Sequence, residues 1–162
     1  MSAQLLRYVA KGDYTAFRKF LSDPKNLKNV DENVLIYIYT TYKGKWVKHL
    51  LKNLQPSSKK VGHTLCTYQP QSVINLWASR WGISENIAVS IFKSGSDAAV
   101  RKLIRALSHK ISVKTEAEML KRNDVDLLKL WLKKFTRLEW DNEILLGDDP
   151  RMSSLLRYYT GT

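Results

Sequence analysis

The chain has 162 residues, of which 44% are hydrophobic, and this suits one compact domain with a core of its own. Four prolines and seven glycines are few for an all-β chain. No apolar run approaches the roughly 18 residues of a membrane span, and the first residues lack the pattern of a secretion signal. The single cysteine, Cys66, excludes an internal disulfide. These features predict an all-α, intracellular protein of the cytoplasm or nucleus without a transmembrane segment.

The charge is strongly basic, with a net value of +12. Such an excess favours acidic partners, namely nucleic acid, anionic lipid headgroups or acidic proteins. Residues 1–110 hold 18 Lys and Arg against 6 Asp and Glu, whereas residues 111–162 hold 9 of each. The first two thirds of the chain are therefore the predicted contact surface.

Apolar residues recur along the chain in triplets at positions i, i+3 and i+4, the spacing of one face of a helix. The six triplets are Phe17/Phe20/Leu21, Val47/Leu50/Leu51, Val73/Leu76/Trp77, Val100/Leu103/Ile104, Leu127/Leu130/Trp131 and Met152/Leu155/Leu156. Their first members are 25 to 30 residues apart, which indicates a repeat of about 27 residues. A shorter apolar stretch precedes each triplet, so each unit is predicted as helix, tight turn and helix.

Stop and start signals stand between the two predicted helices of most units. Residues that tolerate the left-handed conformation ending a helix occupy five turns: Gly12, Gly44, Gly95, Asn123 and Gly147. The helix-start residues that follow are the N-cap candidates Asp13, Ser96 and Asp124 and the first-turn prolines Pro70 and Pro150. The third unit has no such glycine and matches the pattern least well.

An isolated hairpin of this size cannot bury its apolar face, so the units are expected to stack on one another. The sequence thus predicts one α-solenoid domain over residues 1–162, built from about six helix-turn-helix units. Their approximate ranges are 3–27, 31–55, 61–82, 84–108, 114–136 and 140–159.

The segment from Leu6 to Leu21 resembles the helix-turn-helix of an ankyrin repeat, because its first helix ends in glycine and its second carries paired apolar residues. Phe92 to Ile104 is similar. The repeat is shorter than the 33 or so residues of that family, and its Thr-Pro-Leu-His motif is absent. HEAT-like hairpins are therefore the alternative. Stacked hairpins of either kind present an extended groove, which suits binding of a partner protein.

Basic residues recur at the two positions inside the triplets. They are Arg18-Lys19, Lys48-His49 and Arg101-Lys102, with Lys129 in the fifth unit. Stacked units place equivalent positions side by side, roughly 8 to 10 Å apart, so these side chains are candidates for a positive ribbon. The alternative is a solvated outer face, and the third and sixth units interrupt the pattern.

Two tryptophans flank basic residues and are candidate binding residues. Trp46 lies between Lys45 and Lys48, and Trp81 follows Arg80. An indole ring in a basic surface can stack on a nucleobase or anchor a protein partner. Packing within the fold is the alternative for both.

Chemical motifs are missing from the sequence. It contains no phosphate-binding glycine loop, nucleophile elbow or paired metal ligands, so no enzyme activity, metal or cofactor is predicted. Asp141, Glu143, Asp148 and Asp149 could hold a cation, but the last two precede Pro150, where a helix start favours negative charge.

The predicted function is a non-enzymatic helical-repeat protein that binds an acidic partner protein, in a virus-host or regulatory interaction. The alternative is a nucleic-acid-binding protein that uses the same cations with tryptophan stacking. The candidate contact residues are Arg18, Lys19, Trp46, Lys48, Arg80, Trp81, Arg101 and Lys102.

Overall fold

The structure, a computed structural model, describes residues 2–161. Within this range every regular element is a helix, which confirms the predicted all-α class. The chain divides between Gly82 and Ile83 into two compact units. This boundary falls between the third and fourth predicted hairpins. One continuous stack of six hairpins stays a prediction.

The first unit contains seven helices in its described part. They are α1 (Ser2–Lys11), α2 (Tyr14–Ser22), α3 (Pro24–Lys28), α4 (Glu32–Thr41), α5 (Lys45–Asn53), α6 (Lys59–Tyr68) and α7 (Gln71–Arg80). The first helices of successive hairpins contact one another, α1 with α4 and α4 with α6, and the second helices do the same, α2 with α5 and α5 with α7. The short α3 packs on α2.

The second unit repeats this arrangement. Its helices are α8 (Glu85–Ser94), α9 (Asp97–Ala106), α10 (Val113–Leu120), α11 (Val125–Phe135), a 3₁₀ helix (Trp140–Leu146) and α12 (Pro150–Thr160). Helix α10 lies between α8 and the 3₁₀ helix, and α11 lies between α9 and α12. The first helix of the sixth predicted hairpin is thus 3₁₀ rather than α.

The apolar triplets form the cores of both units. All of their members are buried except Leu76, Leu130, Leu155 and Leu156, which are half-buried. Trp77 and Trp131 are completely enclosed, as their positions in the triplets predict. Burial of these side chains supplies most of the driving force that holds such short helices together.

The predicted turn residues mostly take the conformation expected of them. Gly12, Gly44, Gly147 and Asn123 have positive φ, but Gly44 is the N-cap of α5 and does not end α4, whose C-cap is Tyr42. Gly95 is the exception, because its φ is −73° and the left-handed prediction for it is wrong. A Cβ at this position would lie 2.6 Å from the carbonyl oxygen of Ile91, so glycine is required there by close contact with its own helix.

The predicted N-caps are confirmed. The Asp13 carboxylate accepts a hydrogen bond from the amide of Ala16, the Ser96 hydroxyl from Ala99, and Asp124 from Asp126 and Leu127. Pro150 occupies the first turn of α12 as predicted, whereas Pro70 stands one residue earlier, at the N-cap position of α7. These caps fix where each second helix begins.

Side chains near the ends of later helices cap the carbonyl ends of earlier ones. In the first unit Gln69 donates to the carbonyls of Tyr39 and Tyr42, at 2.6 and 2.8 Å, and the Trp81 indole donates to that of Leu51 at 2.6 Å. These bonds supply donors to carbonyl groups that a helix end leaves free.

The second unit has the same caps 53 residues further along the chain. Arg122 donates to the carbonyl of Phe92 at 2.9 Å, and Lys134 donates to that of Ile104 at 2.9 Å. The donor and the acceptor are shifted by the same number of residues in both cases. The two units are therefore built on one plan, although the capping residues differ chemically.

Candidate binding surfaces

The recurring cations lie on the second helices of their hairpins, as predicted. Arg18 and Lys19 on α2 and Lys48 on α5 are exposed, whereas Arg101 and Lys102 on α9 are half-buried. Lys48 and Arg101 are separated by the 53 residues that relate the two units. Equivalent helices therefore carry equivalent positive charges.

A groove between α2 and α5 brings part of this set together. It has a volume of about 450 Å³ and is lined by Thr15, Arg18, Lys19, Ser22, His49 and Asn53. Neither cation in the lining forms an ion pair with a carboxylate of the described chain. The α2–α5 groove thus offers two cations beside hydroxyl and amide groups.

His49 forms the wall of this groove on the α5 side. Its ring lies 5.9 Å from that of Tyr14 and 6.1 Å from that of Phe17, measured between centroids. Burial lowers the pKa of His49 below its ordinary 6.5, and the charges of Arg18 and Lys52 lower it further. At neutral pH the imidazole is therefore uncharged, and one ring nitrogen can accept a hydrogen bond.

A second groove lies between α9 and α11. It has a volume of about 250 Å³ and is lined by Arg101, Arg105, Asp126, Lys129, Leu130 and Lys133. The sequence interpretation missed Arg105 and Lys133, although each stands four residues after a cation already recognised. That spacing puts both members of a pair on one helix face and was the available signal.

Two of the recurring cations line neither groove. Lys48 is exposed on α5, and Lys102 is half-buried on α9, beside the cations that do contribute to the linings. The grooves therefore use one residue of each recurring pair in α5 and α9, but both residues of the pair in α2. Their union in one ribbon stays a prediction.

Trp46 is packed against aromatic neighbours. Its ring meets Phe17 edge-on at 5.0 Å and Tyr14 at 5.3 Å, and the ammonium of Lys45 lies 5.5 Å from its centre. The indole is half-buried. Trp46 thus joins α5 to α2, and its geometry is that of the packing alternative.

Arg80 and Trp81 also hold helices together. The Arg80 guanidinium lies 5.1 Å from the centre of the Trp81 ring and donates to the carbonyl of Lys52 at 3.3 Å. The indole nitrogen of Trp81 is already bonded to Leu51. Both residues therefore donate hydrogen bonds to carbonyl groups at the C-terminal end of α5. If the Trp81 ring also stacked on a ligand, it would have to do so while keeping its hydrogen bond to Leu51.

An exposed apolar surface was not predicted. Trp140 and Ile144 on the 3₁₀ helix are each 82% exposed, and Leu145 lies beside them with 36% of its surface exposed. Trp140 and Ile144 border a depression of about 350 Å³ together with Asp141 and Glu143, and these four residues are here named the Trp140 patch. In the sequence, Ile144 belongs to the short apolar stretch that precedes the sixth triplet.

A buried polar cluster fixes the orientation of this helix. The Glu116 carboxylate accepts hydrogen bonds from the backbone amide of Glu139 at 2.6 Å and from the Asn142 amide at 3.0 Å. Asn142 also donates to the carbonyl of Val113 at 2.9 Å. Because these bonds turn Asn142 inwards, Trp140 and Ile144 on the opposite side face solvent.

Residues 2–161 contain neither a cluster of metal-binding side chains nor a membrane-spanning helix. No group of three or more His, Cys, Asp or Glu side chains there could hold a metal ion. Over the same range, no helix is both long enough and apolar enough to span a membrane. Asp149, one of the acidic residues considered above, caps α12, and its hydrogen bonds with Arg151 lower the pKa of its carboxyl.

Comparison of the chain with family models, curated proteins and solved structures finds no match. The functional interpretation therefore depends on the surfaces themselves.

Proposed function

We propose that the chain is a non-enzymatic helical-repeat protein of α-solenoid type that binds an acidic segment of a partner protein through the α2–α5 groove. The proposal includes an intracellular site of action in a virus-host or regulatory interaction. The observation that carries it is the presence in one groove of Arg18 and Lys19, which form no ion pair within residues 2–161. The α9–α11 groove is a second, smaller contact of the same kind.

The charges of the first unit support this proposal. Residues 1–82 contain thirteen Lys and Arg against four Asp and Glu. Three of those carboxylates, Asp13, Asp23 and Asp31, serve as N-caps and accept hydrogen bonds from backbone amides. The remaining positive charge has little compensation within the unit and favours an anionic ligand.

The polar lining favours a peptide as that ligand. Thr15, Ser22 and Asn53 add hydroxyl and amide groups to the cations, and such groups can bind a peptide backbone. Acidic side chains of the peptide would pair with Arg18 and Lys19. The guanidinium of Arg18 suits a carboxylate especially well because it can donate two parallel hydrogen bonds.

Nucleic acid is the second candidate, favoured by the exposed cations at recurring positions on α2 and α5. These side chains could neutralise phosphates, and binding would then weaken steeply with salt. The two tryptophans give this candidate less support than the sequence suggested, since Trp46 and Trp81 are both engaged in interhelical contacts.

The test is a fluorescence titration of the full chain with two labelled probes, a glutamate-rich peptide and a single-stranded oligonucleotide of similar charge. A variant carrying Arg18→Glu and Lys19→Glu is compared with one carrying Lys25→Glu and Lys28→Glu, which changes the same charge on α3. We expect the first variant to weaken peptide binding by about tenfold or more and the second by far less.

The probes separate the two candidates. Tighter binding of the oligonucleotide, with a steep loss of affinity as salt increases, would favour nucleic acid over the acidic peptide. Absence of binding by either probe at low salt would refute both candidates.

A further inference from the structure

The Trp140 patch is an unusual surface for an otherwise basic chain. Residues 139–149 contain five Asp and Glu and no Lys or Arg. Two large apolar side chains, Trp140 and Ile144, project from this acidic segment with 82% of their surface exposed. Exposed tryptophan surrounded by charge is characteristic of a binding hot spot.

The exposure is built into the fold. The buried Glu116 carboxylate holds the segment through the amide of Glu139 and the side chain of Asn142. Asn142 and Leu146 are the buried residues of the 3₁₀ helix. A rotation that buried Trp140 would pull Asn142 out and leave the Glu116 carboxylate short of donors, at a substantial cost in free energy.

A matching surface has to supply cations together with apolar or aromatic groups. The α2–α5 groove supplies the cations Arg18 and Lys19 and the imidazole ring of His49, and the Tyr14 ring lies at its border, 5.7 Å from the Arg18 guanidinium and 5.9 Å from the His49 ring. An indole can pack between such rings and cations, with a favourable cation–π contribution. The carboxylates of Asp141 and Glu143 would then meet Arg18 and Lys19.

We propose that the Trp140 patch of one copy of this chain binds the α2–α5 groove of a second copy. This inference deepens the proposed function and rests on it, because it names the acidic segment that the groove takes. The contact joins two different surfaces, so it is head-to-tail and leaves one groove and one patch free for further copies.

Alternative pairings of the patch are less favourable. Two Trp140 patches facing each other would bring the carboxylates of Asp141 and Glu143 of both copies together, and like charges repel. An anionic membrane would be repelled in the same way, although it would accept the tryptophan. The basic α2–α5 groove of another copy attracts these carboxylates and so avoids both kinds of repulsion.

The experiment is sedimentation velocity of the full chain over a concentration series at low and high salt. We expect the wild-type chain to form species larger than a monomer at low salt and to dissociate as salt increases. Trp140→Ala with Ile144→Ala should abolish assembly, and so should Arg18→Glu with Lys19→Glu. Tyr158→Ala, which removes another highly exposed aromatic ring, and Lys25→Glu with Lys28→Glu should assemble like the wild type.

A mixture of the two assembly-deficient variants gives the decisive result. Each variant retains one of the two surfaces, so their equimolar mixture should form a heterodimer and stop there. A monomeric wild-type chain at all concentrations would overturn the proposal. Assembly of the groove variant by itself would also overturn it, because that result requires a contact that does not involve the α2–α5 groove.

The glutamate-rich peptide separates this inference from the proposed function. The variant with Trp140→Ala and Ile144→Ala keeps an intact groove, so it should still bind the peptide. Peptide binding by a chain that never self-associates would refute the head-to-tail contact alone. Failure of peptide binding would count against the groove itself.

Discussion

The indole nitrogen of Trp131 donates a hydrogen bond of 2.9 Å to the carboxylate of Glu116, and both side chains are completely buried. The same carboxylate lies 2.8 Å from the ammonium of Lys110, which remains 16% exposed. One acidic side chain thus joins α10, α11, the 3₁₀ helix and the segment that precedes α10. Such a cluster stabilises a fold only when all of its members are present.

Replacement of Glu116 by alanine should therefore be strongly destabilising. It leaves the Trp131 indole without its acceptor, removes one of the two acceptors of the Asn142 amide and the partner of Lys110, and creates a cavity, so we expect a loss of about 3 to 5 kcal/mol in the free energy of unfolding. Glu116→Gln, which keeps the volume and one acceptor oxygen, should cost less. Urea denaturation measures both values.

Glu118→Ala is the matched control for this measurement. Glu118 forms a salt bridge of 3.1 Å with Lys121 at the C-cap of α10; the Lys121 side chain is 57% exposed and that of Glu118 is 14% exposed. Removal of that pair should cost about 1 kcal/mol or less, because the Lys121 ammonium stays in contact with water. Similar effects of the substitutions at Glu116 and Glu118 would contradict the role assigned to the buried cluster.

Gly95→Ala tests the close contact at the end of α8. The added methyl group would lie 2.6 Å from the carbonyl oxygen of Ile91, so the backbone must shift, and we expect a cost of about 1 to 3 kcal/mol. At Gly12 an added methyl group would contact no other atom, so Gly12→Ala should lower the free energy of unfolding only by the cost of a positive φ, about 1 kcal/mol. Thermal unfolding compares the two variants. A tolerated Gly95→Ala would show that the helix end relaxes readily.

His49 should make stability depend on pH. Its pKa in the folded chain lies below the unfolded value of 6.5, so the unfolded chain binds the proton more readily. The stabilising contribution of neutral His49 is therefore present above pH 6.5 and is lost as pH falls through the folded-state pKa. An NMR titration of the imidazole should give a pKa below 6.5, and Arg18→Gln should raise it.

The slope of unfolding free energy against pH provides a second measurement. His49→Gln should flatten this slope below pH 6.5. His109→Gln, at an exposed position, is the matched control for the loss of a histidine. An unchanged slope in His49→Gln would mean that other groups cause the pH dependence. Binding of an acidic peptide should raise the His49 pKa, because a nearby negative charge favours the imidazolium.

Trp81→Phe separates the structural role of this residue from a binding role. Phenylalanine keeps most of the ring but loses the donor to the Leu51 carbonyl, so we expect a loss of about 1 to 2 kcal/mol in stability. Trp140→Phe, at a solvent-facing position, should change stability by about 0.5 kcal/mol or less. Chemical denaturation distinguishes the two. Equal effects would contradict the assignment of Trp81 as a helix-end cap.

Local signals in the sequence accounted for the helices and much of the core. Phe17, Val47 and Leu50 are buried as their spacing predicts. The apolar face of an amphipathic helix is buried in the fold irrespective of which element packs against it. Asp13 and Asp124 mark helix starts because a cap acts on amides only two or three residues away. These relationships lie within one or two turns of the chain.

The grooves were predictable only in part. The pairs at Arg18 and Arg101 were recognised from their recurrence, but their grouping with His49 or with Lys133 depends on which helices become neighbours. Trp46 and Trp81 looked like free aromatic groups beside cations. Their partners, Phe17 and Leu51, come from other helices that the sequence does not place.

The sequence by itself determined the helical class and most of the residues that face a core, because these follow from short-range spacing. Only the tertiary structure decided that the Glu116 carboxylate would be buried and that Ile144 would face solvent. Both outcomes depend on the bonds that Glu116 makes to Trp131 and Asn142, 15 and 26 residues away. An ionised group is buried when distant residues supply its donors, and local periodicity contains no information about those donors.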